Sequence, residues 1–108
     1  MLFLITGRPK SERELPLKVE FLDLVVKEWE AVISLKKEPF NGPIKEVYGF
    51  RDGTGGIIIC EMESKEAVGK MLQTLPLFDL ADWDIKEMLS AEEGLATAQR
   101  KYLQAIHH

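Results

Sequence analysis

Histidine, the usual side chain for moving protons near neutral pH, occurs only at positions 107 and 108, the end of a 108-residue chain. A terminal pair of this kind has the form of a purification-tag remnant, and without it the chain has no imidazole. Ser-His and Cys-His nucleophile pairs and the usual zinc spacings then fall away. Chemistry is left to carboxylates, Tyr48, Tyr102, lysines, arginines, hydroxyls and backbone groups. Glu28 is the best-placed carboxylate. It lies one helical turn from Leu24 and from Val32, at the border of an apolar arc. A carboxylate there can be partly desolvated, which raises its pKa toward that of a working base. Glu30 is its companion. With Lys27 and Lys36 close in sequence, both acids also read as solvated surface groups, the commoner fate of such residues. Tyr48 could donate to an oxyanion or sit half-buried in a strand. Arg8 and Arg51 follow apolar runs, where they could hold a substrate carboxylate bidentately or face water.

Other chemistries find less support. Asp79, Asp82, Asp84, Glu87, Glu92 and Glu93 follow a strand and a helix start, a spacing that does not force carboxylates to converge, so no metal site is expected. Cys60 is the only cysteine, which excludes an intrachain disulfide and fits a reducing compartment. Its place in Ile57-Ile58-Ile59-Cys60 marks an inert core thiol. The net charge is −4 and no basic cluster carries interleaved aromatics, so nucleic acid is not an expected partner. Lys36-Lys37 suits a helix end, where cations meet the dipole. No apolar run approaches the ~20 residues of a membrane span, and Met1–Ile5 is too short for a signal peptide. A cytoplasmic protein without cofactor is expected.

The elements that must position these groups follow from periodicity and punctuation. Residues 1–106 are expected to form one domain, with 107–108 outside it. Leu2–Ile5 is continuously apolar before Gly7 and Pro9, which predicts a buried strand at about 2–7. Ser11-Glu12-Arg13-Glu14 has the letters of a capping box. Pro16 would then fall inside the helix, so a start near 15 or 16 fits better, with an end near Glu38. Leu22, Val25, Val26, Trp29 and Ile33 form one stripe of this helix. Phe21, Leu24, Val32 and Leu35 form a second set beside it, so the helix can touch two surfaces. Ile44–Phe50 and Gly56–Met62 flank Arg51-Asp52-Gly53-Thr54-Gly55, the composition of a hairpin turn. That glycine cluster lacks the Lys-Ser/Thr end and following helix of a phosphate loop. Ser64, with Glu66 in the first turn, opens a second helix that ends near Leu75, ahead of Pro76. Phe78, Leu80, Trp83 and Ile85 suggest a last strand with an irregularity near Ala81-Asp82, and Leu89 to Ile106 a C-terminal helix. Trp29 and Trp83 are expected in the core or an interface.

This order is the ferredoxin-like βαββαβ pattern of an α+β fold, a four-stranded antiparallel sheet plus a C-terminal helix. Two helices cover one face. Leu2–Ile5 and Ile57–Cys60 are apolar at consecutive positions, so the other face is apolar too and needs a cover. A second copy about a two-fold axis is expected there, with the C-terminal helix as the intramolecular competitor.

Three segments, in shared order, carry a resemblance. They are Met1-Leu2-Phe3-Leu4-Ile5, the helix stretch from Lys27-Glu28-Trp29-Glu30 through Leu35-Lys36-Lys37-Glu38, and the corner Leu75-Pro76-Leu77-Phe78. From Met1 to about Leu89 the chain resembles the muconolactone isomerase family of dimeric α+β barrel proteins. The resemblance implies a homo-oligomer, at least a dimer, that moves a proton within a small unsaturated lactone or organic acid without metal or cofactor. It matches Glu28 and Glu30 to the family's helix carboxylates. Glu28 would be the base, with Glu30 and Tyr48 as further catalytic candidates. Arg8, Arg51, Trp29 and Phe78 would bind substrate. Two departures fall where a pocket rim would lie: the inserted Phe40-Asn41-Gly42-Pro43, and Val47-Tyr48-Gly49-Phe50 where the family carries Trp, His and Arg. A non-catalytic ligand-binding or assembly module of the same fold is the main alternative, and a cofactor-free oxygenase-like member the other.

Overall fold

Leu2–Pro9 forms β1, in which Phe3 and Ile5 are buried while Leu2 and Leu4 stay half-exposed. The alternation is the pleat of a strand, whose neighbouring side chains leave opposite faces. A computed structural model describes residues 1–11, 16–37 and 42–107. After β1 come α1 (Lys18–Lys37), β2 (Ile44–Gly49), β3 (Gly56–Glu61), α2 (Lys65–Gln73), a 3₁₀ turn (Phe78–Leu80), β4 (Ala81–Met88) and α3 (Ala91–Ile106). The strands make one antiparallel sheet in the order β2-β3-β1-β4. This is the expected ferredoxin-like βαββαβ arrangement with an added C-terminal helix.

Most expected boundaries shift by one or two residues. β1 runs on to Pro9 because β4 pairs with it along its whole length, Leu2 against Met88 through Pro9 against Ala81. Helix α1 begins at Lys18, and the Phe21 amide donates to the Leu17 carbonyl at 2.9 Å. The capping-box letters at 12–14 and, of the Phe40–Pro43 insertion, Phe40 and Asn41 lie outside the described residues. Ser64 caps α2 as expected, its hydroxyl accepting from the Ala67 amide at 3.1 Å. Glu66 in the first turn and Lys70 in the last complement the helix dipole. Ser90 and Glu93 close a full capping box on α3, which sets its start two residues later than periodicity suggests.

One expectation is corrected. Phe78 and Leu80 are not strand residues. They form the 3₁₀ turn, in which the Phe78 amide donates to Leu75 and the Leu80 amide to Leu77. Pro76 cannot donate, so the chain leaves α2 through successive tight turns before it can straighten at Ala81. Alternation that looked like a strand was here two apolar anchors of a corner.

The hairpin turn is as expected. Asp52 Oδ1 accepts from the Thr54 amide at 3.0 Å and from the Thr54 hydroxyl at 2.6 Å, an Asx turn that holds the Asp52 carboxyl below its ordinary pKa. Gly55 has φ +137°, and a Cβ there would meet the Gly7 carbonyl, so only glycine suits this position.

The core lies between one face of the sheet and two helices. Phe3, Ile5, Ile44, Ile58 and Cys60 rise from the strands to meet Val32 of α1 and Val68, Met71, Leu72 and Leu75 of α2 and its exit. On α1 the second apolar set is the one that faces inward. Phe21, Leu24, Val25 and Leu35 are half-buried, and Val32 is fully so. Of the first stripe, Val25 also turns in and the Trp29 ring reaches Gly49 of β2, while Leu22, Val26 and Ile33 point outward, each 47–55% exposed. Both arcs are apolar, so periodicity alone could not tell which would meet the sheet.

Burial raises the Cys60 thiol to about 11, with the Glu61 carboxylate adding to the effect. A thiolate is the reactive form, so iodoacetamide at pH 8 is expected to leave the native protein unmodified and to label it quantitatively in urea. Mass spectrometry reads both states. Native labelling at the unfolded rate would contradict the burial.

The other face of the sheet carries Leu2, Leu4, Ile57 and Ile59 at its centre, all half-exposed, with Thr6, Glu46, Tyr48, Asp84 and Lys86 around them. The α3 helix buries no residue, and Leu95, Tyr102, Leu103 and Ile106 are each more than half exposed. Among the described residues no helix is long and apolar enough to cross a membrane.

Candidate functional site

Between the sheet and α1, toward the ends of β1 and β2, the packing opens into a cleft of about 290 Å³. That is the small end of ligand pockets, a size for a single-ring molecule. Helix α1 gives Phe21, Val25, Glu28, Trp29 and Val32 to one wall. The Leu77 and Leu80 corner and Trp83 of β4 close the far side, and the strands supply the floor. Nearly all of this lining is apolar, and Glu28 is its only carboxylate among the described residues.

Glu28 reaches the cleft from the inward face of α1, in register with Leu24, Val32 and Leu35. Its Oε1 accepts a hydrogen bond from the Leu77 amide at 3.0 Å. That amide follows Pro76, past the end of α2, so no helix carbonyl serves it. The contact ties α1 to the Leu-Pro-Leu-Phe corner. Oε2 has no hydrogen-bond partner among the described residues. Two effects set the protonation of Glu28. Loss of water around the half-buried carboxylate raises its pKa, and the Leu77 hydrogen bond opposes this more weakly, so the net direction is up. An anchored carboxylate with one unpartnered oxygen in an apolar cleft can take a proton from carbon and return it.

The cleft floor is a row of glycines. Gly7 of β1 pairs with Gly56 of β3, and Gly56 pairs with Gly49 of β2. Two indoles rest on the ends of this row. A Cβ on Gly7 would lie 2.7 Å from the Trp83 ring, and one on Gly49 would lie 2.8 Å from the Trp29 ring. Trp83 is held in place by its Nε1–H, which donates to the Phe78 carbonyl at 3.0 Å.

The structure brings some candidates together and separates others. Glu28 and Trp29 both line the cleft. Glu30, two residues on, stands on the exposed side of α1, where Asp23 and Lys27 also pair at 2.8 Å. Tyr48 and Arg8 contribute to the cleft edge. The alternation that turns Val47 and Gly7 toward the helices turns Tyr48 and Arg8 to the open face, where Tyr48 is 56% exposed. Arg51 lies in the exposed turn and is not part of the lining. Phe78 packs against the core and positions Trp83 through its carbonyl, while its neighbour Leu77 faces the cleft. Sequence reasoning missed the glycine row and the part of Trp83. Gly49 and Gly56 flank one hairpin turn, but Gly7 is far from both in the chain, and only strand register aligns it with them.

The element order, the antiparallel sheet with helices on one face, and a cleft between them define a ferredoxin-like α+β fold. Among solved structures the chain shares this fold with muconolactone isomerase, at 22% identity and a TM-score of 0.66, over 83% of this chain and 90% of that one. It is also similar to 5-chloro-2-hydroxyhydroquinone dehydrochlorinase from Burkholderia phenoliruptrix AC1100, solved with 2,5-dihydroxybenzoquinone. There the identity is 21% and the TM-score 0.62, over 85% of this chain and 97% of that one. At these identities the likeness establishes the fold. No protein-family model matches the chain, and no curated protein matches it in sequence.

Proposed function

We propose that the protein is a cofactor-free proton-transfer isomerase acting on a small unsaturated lactone or organic acid, with Glu28 as base. The observation that carries this reading is the placement of Glu28: anchored through one oxygen, half-buried, and the one carboxylate among the described residues of a largely apolar lining. Glu28 takes a proton from a carbon made acidic by the neighbouring carbonyl. Its conjugate acid then returns that proton to another carbon of the same unsaturated system, so no co-reactant is consumed. The apolar surroundings keep the carboxylate basic enough for the first step and acidic enough for the second. The two structural neighbours support the choice of ligand. One is an isomerase of a lactone and the other acts on a hydroxylated ring, both compact unsaturated molecules of the kind found in aromatic-compound catabolism. Muconolactone turnover by the purified protein, followed by absorbance with Glu28→Gln as control, is the direct test. A folded wild type without turnover would move the assignment to a binding module of the same fold.

The open sheet face completes the proposal. Leu2, Leu4, Ile57 and Ile59 form an apolar patch that α3 leaves uncovered, and a second copy about a two-fold axis would bury it. Leu4→Asp is expected to convert a dimer to monomer without unfolding it, as read by light scattering coupled to gel filtration, because Leu4 is not part of the internal core. An unchanged mass would remove this face as the interface.

A further inference from the structure

The open sheet face is polar at its two edges in a matched way. One register row crosses it as Glu46 of β2, Ile59 of β3, Leu4 of β1 and Lys86 of β4. The next row crosses it as Tyr48, Ile57, Thr6 and Asp84. The first row ends in an acid and a base, the second in a phenol donor and a carboxylate acceptor. At about 4.8 Å per strand the two edges lie roughly 14 Å apart, too far for one chain to join its own row ends. Tyr48, Asp84 and Lys86 have no side-chain hydrogen bond or ion pair among the described residues. A second copy laid face to face can supply the missing partners. Packed sheets stand about 10 Å apart, a gap that side chains from both sides can span. We propose that the second copy sits on this face about a two-fold axis running along the strands between β1 and β3, with Glu46 paired to the partner's Lys86 and Tyr48 to the partner's Asp84. Such an axis reverses each row left to right and keeps it at the same height, so both rows match at once and Leu4 meets the partner's Ile59. An axis across the strands sets each edge over itself. It joins unlike groups only when placed midway between the rows, and then lays Leu2 on the partner's Arg8 and Met88 on the partner's Asp82. Under the proposed axis Glu61 stands over the partner's Leu2, and its charge is already held by the Met1 amine at 3.0 Å. Tyr48 also edges the cleft, so the partner's Asp84 fixes a side chain at its mouth. This pairing rests on the open face being the contact between copies, as proposed above, and not on the chemistry at Glu28.

Glu46, Tyr48, Asp84 and Lys86 are all exposed in the single chain. The Lys36–Glu46 bridge is itself exposed, so its loss in Glu46→Lys is expected to leave the fold intact, as circular dichroism reads. Sedimentation velocity gives the dissociation constant of the dimer. Lys86→Glu sets acid against acid at both ends of the contact and is expected to weaken the dimer at least about tenfold, and Glu46→Lys to do the same with base against base. The double variant Glu46→Lys/Lys86→Glu joins unlike charges again and is expected to return to within about threefold of the wild type. Mixing the two single variants provides a second arm. Every pair in the mixed dimer is of unlike charge, so it is expected to exceed the share that random exchange gives. Isotope labelling of one variant lets native mass spectrometry resolve it. Tyr48→Phe and Asp84→Ala are each expected to weaken the dimer about fivefold, and together no more than either alone, because they remove the same hydrogen bond. Charge-reversed variants that dimerise like the wild type, or a double variant and a mixture that fail to recover, would overturn the axis while a monomeric Leu4→Asp keeps the face. Fully additive losses at Tyr48 and Asp84 would overturn the second row. A Leu4→Asp protein that stays dimeric, or a wild type that is monomeric at high concentration, would remove the face and the pairing together. Muconolactone turnover, present or absent, bears on the Glu28 reading alone.

Discussion

Glu28→Gln is expected to give a folded protein with proton transfer reduced by about 10²–10⁴-fold, the range that a positioned general base contributes. The substitution is nearly isosteric. The amide oxygen of glutamine can still accept from the Leu77 amide, so the tie between α1 and the Leu-Pro-Leu-Phe corner is kept. What is lost is basicity at the unpartnered oxygen. Glu28→Ala removes both functions and leaves the Leu77 amide without its acceptor, which costs about 1–3 kcal/mol for a buried donor. Comparing the two separates chemistry from architecture. Loss of turnover in the glutamine variant at unchanged stability supports the base. Loss only in the alanine variant would reduce Glu28 to a structural acceptor.

The pH dependence of the same residue gives an independent check. Desolvation raises the folded-state pKa of Glu28 above its ordinary value of 4.5, against the weaker pull of the Leu77 hydrogen bond. Turnover in the wild type should therefore fall on acidification at a pH above the ordinary carboxylate range. Stability moves the opposite way. With its pKa raised in the folded state, that state holds the Glu28 proton more tightly than the unfolded chain does. The stabilising contribution is complete below the unfolded value and is lost as pH rises through the folded one. Wild type minus Glu28→Gln stability should consequently be most favourable at acid pH and decline toward neutrality. A flat difference across that window would show Glu28 to be solvated.

Phe3→Ala is expected to destabilise the fold by about 3–5 kcal/mol, the usual cost of emptying a large buried aromatic site. Phe3 is 1% exposed and sits on the central strand β1, which pairs with β3 on one side and β4 on the other. Its cavity would open beneath both helices, where backbone pairing on each side prevents collapse. For a domain of this size the midpoint of thermal unfolding should fall on the order of 15 °C. Total stabilities lie near 5–15 kcal/mol, so the variant sits close to the threshold of folding. Urea titration gives the difference directly. A change below about 1 kcal/mol would mean that the β1 core can repack around the loss, contrary to the close packing of protein interiors.

These outcomes follow from features of unequal visibility in the chain. Phe3, Ile5, Ile58 and Cys60 lie in short apolar runs bounded by glycine and proline, and such runs seek burial in almost any fold that contains them. Element order, turn chemistry at Asp52–Gly55, and the Ser64 cap rest on interactions within a few residues, so local sequence carries them. The prominence of Glu28 also followed from its spacing to Leu24 and Val32 on one helix. Its hydrogen bond to Leu77 did not, because that partner is 49 positions away and meets it only when α1 and the corner pack together. The outward turn of Leu22, Val26 and Ile33 was equally hidden, since two apolar arcs on one helix compete for the sheet and only packing chooses between them. Arg8 and Tyr48 show the same dependence. Their residue types suggest binding, while a strand period of two assigns their faces once the pairing register is set. The chain alone thus specified the fold class through short-range periodicity and punctuation, and it marked Glu28 as a candidate through the resemblance and its place at the border of an apolar arc. Tertiary structure decided what surrounds that carboxylate, because three glycines and two indoles from five separate elements line one cleft only through strand register and helix docking.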